Sequence, residues 1–138
     1  MADYFDAGKF GAICAIPFGH ADLTTGESDT DLTAEQGSLH VMPQGGSVIG
    51  LVARVNASVT SGSAVFQAHK SGTEFTDGSA PSVTCDSSNQ GSYASLAPGL
   101  VDFDAGDALG ISVTTTTDMA PTNSLDVDAL LFVQFNPS

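Results

Sequence analysis

Between residues 49 and 59 apolar side chains fall on every second position: Ile49, Leu51, Ala53, Val55, Ala57 and Val59 alternate with Gly50, Val52, Arg54, Asn56 and Ser58. A period of two places one set on one face of a strand and the other set on the opposite face, so this stretch predicts a long strand with one buried side. The same pattern returns in Ala64, Phe66 and Ala68, and in Leu109, Ile111 and Val113. It is clearest at the carboxy end, where Leu125, Val127, Ala129, Leu131, Val133 and Phe135 share one face. Shorter apolar runs fit strands at Ile13–Phe18, around Val83–Cys85 and at Ser92–Leu96, and Ser-Gly and Pro-Gly pairs separate the runs as turns. The count is about eight strands, near 11–18, 38–42, 47–59, 63–70, 82–86, 91–97, 107–116 and 124–135. The one helix-like stretch is Asp31–Gln36, about a single turn, so helical crossovers between parallel strands are missing. The pattern predicts an all-β, antiparallel two-sheet sandwich, with a jelly roll favoured by strand number and long end strands.

Two segments depart from simple alternation. In the last strand the second face begins polar with Asp126 and Asp128 but continues with Leu130 and Phe132. Apolar residues on a face turned from the core need a cover, from another sheet, a loop or a neighbouring subunit. Val52 and Arg54 have the same outward parity on the longest central strand, and Arg54 is its sole cation, placed either to pair with a carboxylate across a subunit boundary or to remain solvated. At the amino end Tyr4, Phe5 and Phe10 sit in a Gly- and Asp-containing stretch without alternation. Residues 1–10 therefore read as an arm, docked elsewhere or folded over its own sandwich, and 11–138 as one domain.

Composition narrows the functions available. In 138 residues there are three Lys and Arg against sixteen Asp and Glu, a net charge of −13. Three cations cannot line a nucleic-acid groove, and the same deficit disfavours an anionic membrane surface. No apolar run approaches the roughly 20 residues of a membrane-spanning helix. The acidic start Met1-Ala-Asp-Tyr-Phe-Asp6 lacks the basic and apolar regions of a secretory signal, so Cys14 and Cys85 are expected reduced and buried.

Catalytic motifs are scarce. The sequence lacks a Gly-x-Ser-x-Gly elbow, a phosphate-binding glycine loop and a His-Glu-x-x-His pair. His20, His40 and His69 are too far apart in sequence to suggest a metal site, and each is expected at or near the surface. Asp102-x-Asp104-x-Gly106-Asp107 resembles the start of a calcium loop, but Gly falls fifth and Asp sixth, the reverse of what that loop needs. No cofactor or metal is predicted. Asp126 and Asp128 are expected on an exposed edge, and Asn56-Ala-Ser58 matches a glycosylation triplet by chance.

The segment Phe103-Asp-Ala-Gly-Asp-Ala-Leu-Gly-Ile-Ser-Val113 resembles the hairpin of C1q/TNF-like jelly rolls, a domain type found in the fibres, spikes and head decorations of tailed viruses. Gly45–Asn56 is similar to the first long strand of that pattern, Ser61–Lys70 to the next and Leu125–Phe135 to the closing one, so the resemblance spans roughly 37–136. It implies a non-enzymatic virion structural protein that assembles as a homotrimer and binds the major capsid protein or another virion protein. A domain with an arm and no shaft fits a decoration or cement subunit, or a head spike, on the outer capsid surface better than a fibre. The alternative is a tip module recognising a receptor or glycan. On this view the contact residues are Tyr4, Phe5, Phe10, Val52, Arg54, Leu130 and Phe132.

Overall fold

The computed structural model describes residues 11–28, 30–32, 39–70, 73–74 as backbone, and 81–136. Among them are eleven strands: β1 (Ile13–His20), β2 (Thr30–Asp31), β3 (His40–Val41), β4 (Gly46–Val55), β5 (Ser63–Lys70), β6 (Thr73–Glu74), β7 (Ser82–Asp86), β8 (Gly91–Ser95), β9 (Asp102–Phe103), β10 (Ala108–Thr115) and β11 (Val127–Phe135). Each of the eight expected strands has a counterpart, and the two-residue β2, β6 and β9 are additional. The proposed arm at 1–10, most of the helix-like stretch and the aromatic residues Tyr4, Phe5 and Phe10 lie outside the described residues.

All pairings are antiparallel. One sheet runs β1-β11-β4-β8, with β9 continuing the β8 side of β4. The other runs β2-β10-β5-β7, with β3 beside β2 along β10 and β6 beside β7 along β5. Following the chain, β1, β4, β8, β9 and β11 fall in one sheet and β2, β3, β5, β6, β7 and β10 in the other, so the chain crosses repeatedly between them around the core, which is the jelly-roll order. Such a wrap leaves the first and last long strands adjacent, and β1 indeed pairs with β11 over eight residues.

The inward parity of every long strand fills one core. Leu51, Ala53, Val55, Leu131 and Val133 from the first sheet meet Phe66, Ala68, Leu109, Ile111 and Val113 from the second, all fully buried. The alternation expected from Ile49 onward is interrupted. A register shift in the β4–β11 pair between Phe132 and Val133 lets Val48 and Leu51 both face inward, so Val48 replaces the half-buried Ile49 in the core. A bulge of one residue inverts the parity on one side of it. The strand also stops at Val55, four residues before the end of the alternation. Asn56 there exchanges its amide and side-chain carbonyl with Asp126, accepting the Asp126 N–H on Oδ1 at 3.0 Å, and Val59 reaches the core from the loop that follows.

Candidate interaction surface

The register of the first sheet arranges its outward side chains in straight rows across four strands. One row is Pro17 on β1, Leu130 on β11, Val52 on β4 and Tyr93 on β8, each directly opposite the next. On one side of it lies Ala15, Phe132, Gly50 and Ser95, and on the other Gly19, Asp128, Arg54 and Gly91. Directly opposed residues are close enough to pack, so the middle row is a continuous apolar band across the sheet. Leu130 is 37% exposed and Tyr93 74%, while Val52 and Phe132 are half-buried. Ile13, at the end of β1 beyond these rows, is 64% exposed. Sequence parity placed Val52, Arg54, Leu130 and Phe132 away from the core, and the structure gathers all four on this one face.

Two glycines shape the relief. Gly50 is buried, and Phe132 packs over it, with its Cβ 3.5 Å and Cδ2 3.6 Å from where a Gly50 side chain would begin. Gly91 lies under the stem of Arg54, whose Cγ would be 3.1 Å from an added Cβ. The Val52–Arg54 ridge therefore stands between two shallow recesses. One, of about 480 Å³, is lined on the β8 side by Gly91, Ser92 and Tyr93. The other, of about 320 Å³, is lined by Pro17, Asp128 and Leu130.

The charges on this face are few and open. In the three rows Arg54 and Asp128 are the charged residues, and although they oppose each other across β4 and β11 they form no ion pair within 4 Å. The ion pairs among the described residues are elsewhere: His20 with Glu27 at 3.3 Å, His69 with Asp31 at 3.0 Å and Lys70 with Asp107 at 3.8 Å. Asp128 is not on a sheet edge as expected, because β11 is an interior strand between β1 and β4. The edges of this sheet are β1 and the β8–β9 side, and on β1 Pro17 removes one backbone donor, which blunts further strand addition at that edge.

Other sequence candidates resolve differently. Asp102, Asp104 and Asp107 shape a turn: Asp102 Oδ1 accepts the Ser47 hydroxyl at 2.8 Å, and Asp107 Oδ2 accepts the Asp104 N–H at 2.8 Å. Among the described residues no three His, Cys, Asp or Glu side chains gather as a metal site. His69 is 2% exposed rather than superficial. It opposes Gly110 on β10, and the missing side chain there leaves room for the ring to lie down beside the Asp31 carboxylate. Cys85 is buried as expected, and burial, then the neighbouring Asp86 charge, pushes its thiol up to about 11. Cys14 is a correction: it is free and exposed, on β1 in the opposite sheet from Cys85.

Sequence reading missed Tyr93 and Pro17 as members of the face. Tyr93 has the outward parity opposite Ala94 and Leu96, which was visible, but only the β4–β8 register sets it beside Val52. No protein-family model matches the chain, and no curated protein matches it.

Proposed function

We propose that this protein is a non-enzymatic virion structural subunit, a decoration or cement protein of the outer capsid surface that assembles as a homotrimer and reinforces the shell. The observation that carries the reading is the continuous apolar band Pro17–Leu130–Val52–Tyr93 on the outward face of a strongly acidic domain. Jelly-roll strand order and the resemblance of the 103–113 hairpin to C1q/TNF-like virion domains support the same reading.

The size of the face suits assembly. Four strands at about 4.8 Å spacing and the five residues of each strand spanned by the three rows, at about 3.4 Å rise, give a footprint of roughly 330 Å². That is at the level of the largest apolar patches, about 300 to 600 Å², that monomers carry and often use. Removing about 300 Å² of apolar surface from water on each of two copies is worth roughly 15 kcal/mol gross at about 25 cal/mol/Å². The loss of translational and rotational freedom opposes it by about 4 to 15 kcal/mol. The balance is favourable but moderate, so assembly depends on concentration.

The test has two arms. Sedimentation of the purified full chain over a range of concentrations is expected to give a mass near 42 kDa, three times the 14.0 kDa subunit. Antibody raised against the chain is expected to label the surface of particles banded from the culture that produces it. A monomer at every concentration, or particles that carry none of the protein, overturns the reading. A second reading, a receptor- or glycan-binding tip module, is favoured by the exposed Tyr93 beside the open Arg54 guanidinium. Glycan or host-cell binding by a chain that does not label shells would select it.

A further inference from the structure

Arg54 is the odd residue of the outward face. It is exposed on a chain of net charge −13, yet it makes no ion pair among the described residues, not even within 4 Å of Asp128 directly across the β4–β11 ladder. A guanidinium and a carboxylate left open side by side, bordering an apolar band that contains an exposed Tyr, match the Arg-and-aromatic make-up of interface centres.

We propose that a second copy of this chain covers the outward face of the β1-β11-β4-β8 sheet, with Arg54 of each copy paired to Asp128 of the next. The proposal rests on the assembly reading above and deepens it by naming the occupant and the contact. Charge selects a copy of the same chain as occupant. The three rows of the face carry one positive and one negative charge, so this patch is neutral on a strongly acidic molecule. Copies meeting there bring no like charges together, and each supplies both halves of the pair. In a closed ring the charges then alternate, Arg54 to Asp128 around the axis, and none is left over.

Gly91 serves the same contact, since the absence of a side chain there leaves room for the Arg54 stem, and Arg54 is exposed.

Charge exchange on the full chain tests it. Arg54→Glu and Asp128→Arg are made singly and together, and the subunit dissociation constant is measured by sedimentation equilibrium, with circular dichroism and urea unfolding at low concentration as the check on folding. Both positions are exposed, so the variants are expected to fold like the parent. Each single change is expected to weaken association roughly tenfold or more, because it sets like charges against each other in a covered contact, and the double change is expected to recover most of the loss. Association of both single variants at parental strength overturns the inference while leaving assembly itself intact. A double variant no better than the worse single one overturns the Arg54–Asp128 pairing. A parent chain that stays monomeric up to about 100 µM, short of the millimolar range where contacts are negligible, removes the assembly reading and the inference with it.

Discussion

Leu130 and Leu131 are chain neighbours that point to opposite sides of β11, and truncating each to Ala separates subunit folding from assembly. Leu131 is fully buried between the sheets, whereas Leu130 is 37% exposed on the outward face. Leu131→Ala removes three carbons from a closed core, and a change of that kind costs about 3 to 5 kcal/mol, part of it for the cavity that remains. Leu130→Ala loses only the part of its surface that Pro17 and Val52 already cover, about 1 kcal/mol in the isolated subunit. In the assembly it forfeits the remaining third as well, a further 0.5 to 1 kcal/mol or so per copy, which weakens association about two- to fivefold. Urea unfolding followed by far-ultraviolet circular dichroism measures both, since the chain has no Trp to report by fluorescence. The runs are made at one concentration below association and one above it. Leu131→Ala is expected to lower the midpoint by a similar amount at both concentrations, and Leu130→Ala to lower it more at the higher one. Equal losses for the two variants at the low concentration would refute the assignment of Leu130 to an open face.

Three further outcomes follow from local geometry. Gly62→Ala is expected to cost well over 1 kcal/mol in thermal or urea unfolding, because φ is +66° and an added Cβ would lie 2.7 Å from the Met119 backbone; Gly106→Ala, at φ +89° with open space around it, is expected to cost only about 1 kcal/mol. With a thiol reagent at pH 8 the native chain is expected to react at Cys14 alone and the unfolded chain at both cysteines; because the folded Cys85 pKa of about 11 lies above its unfolded value of 9.0, the unfolded state sheds its proton first, and stability is expected to fall as pH rises from 9.0 to about 11. Ser47→Ala removes the hydroxyl that donates to Asp102 at 2.8 Å and accepts the Gly99 N–H at 2.9 Å, a loss of about 1 to 2 kcal/mol expected to appear as faster amide exchange through 99–103.

The fold was legible because most of its strands are long and half-buried. In β11 every inward residue is apolar, as are Leu109, Ile111 and Val113 in β10, and a one-residue slip would expose all of them, so the sequence specifies their faces strongly. β2, β6 and β9 were not legible, since two residues cannot show a period and these strands exist through hydrogen bonds to β10, β5 and β4. Half of the surface was legible for the same reason that the core was. Leu130 and Phe132 violate the polar side of an alternating strand, and that violation marks an outward apolar position without any knowledge of neighbours. Which residues stand beside them is a matter of register between strands some forty to more than one hundred residues apart, and local sequence does not encode it. Tyr93 and Pro17 enter the band only through that register. The bulge at Ile49 defeated parity outright, and the depth of His69 depends on a glycine in another strand.

Charge ties the neutral face to the rest of the acidic molecule. Copies of a −13 subunit repel at long range, and that repulsion is spread over exposed carboxylates that salt screens within about 8 Å at physiological strength. Contact energy on the apolar band is insensitive to moderate salt, whereas a pair between Arg54 and Asp128 across a covered contact is screened less than exposed charges are. Added salt therefore removes the opposing force faster than the supporting one, and the proposed assembly through this face is expected to strengthen as salt rises from low values. An interface built chiefly from exposed ion pairs would weaken under the same change. The sign of the salt dependence thus distinguishes an apolar face with a covered pair from a contact made by attraction at the acidic periphery, where few cations are present to provide it.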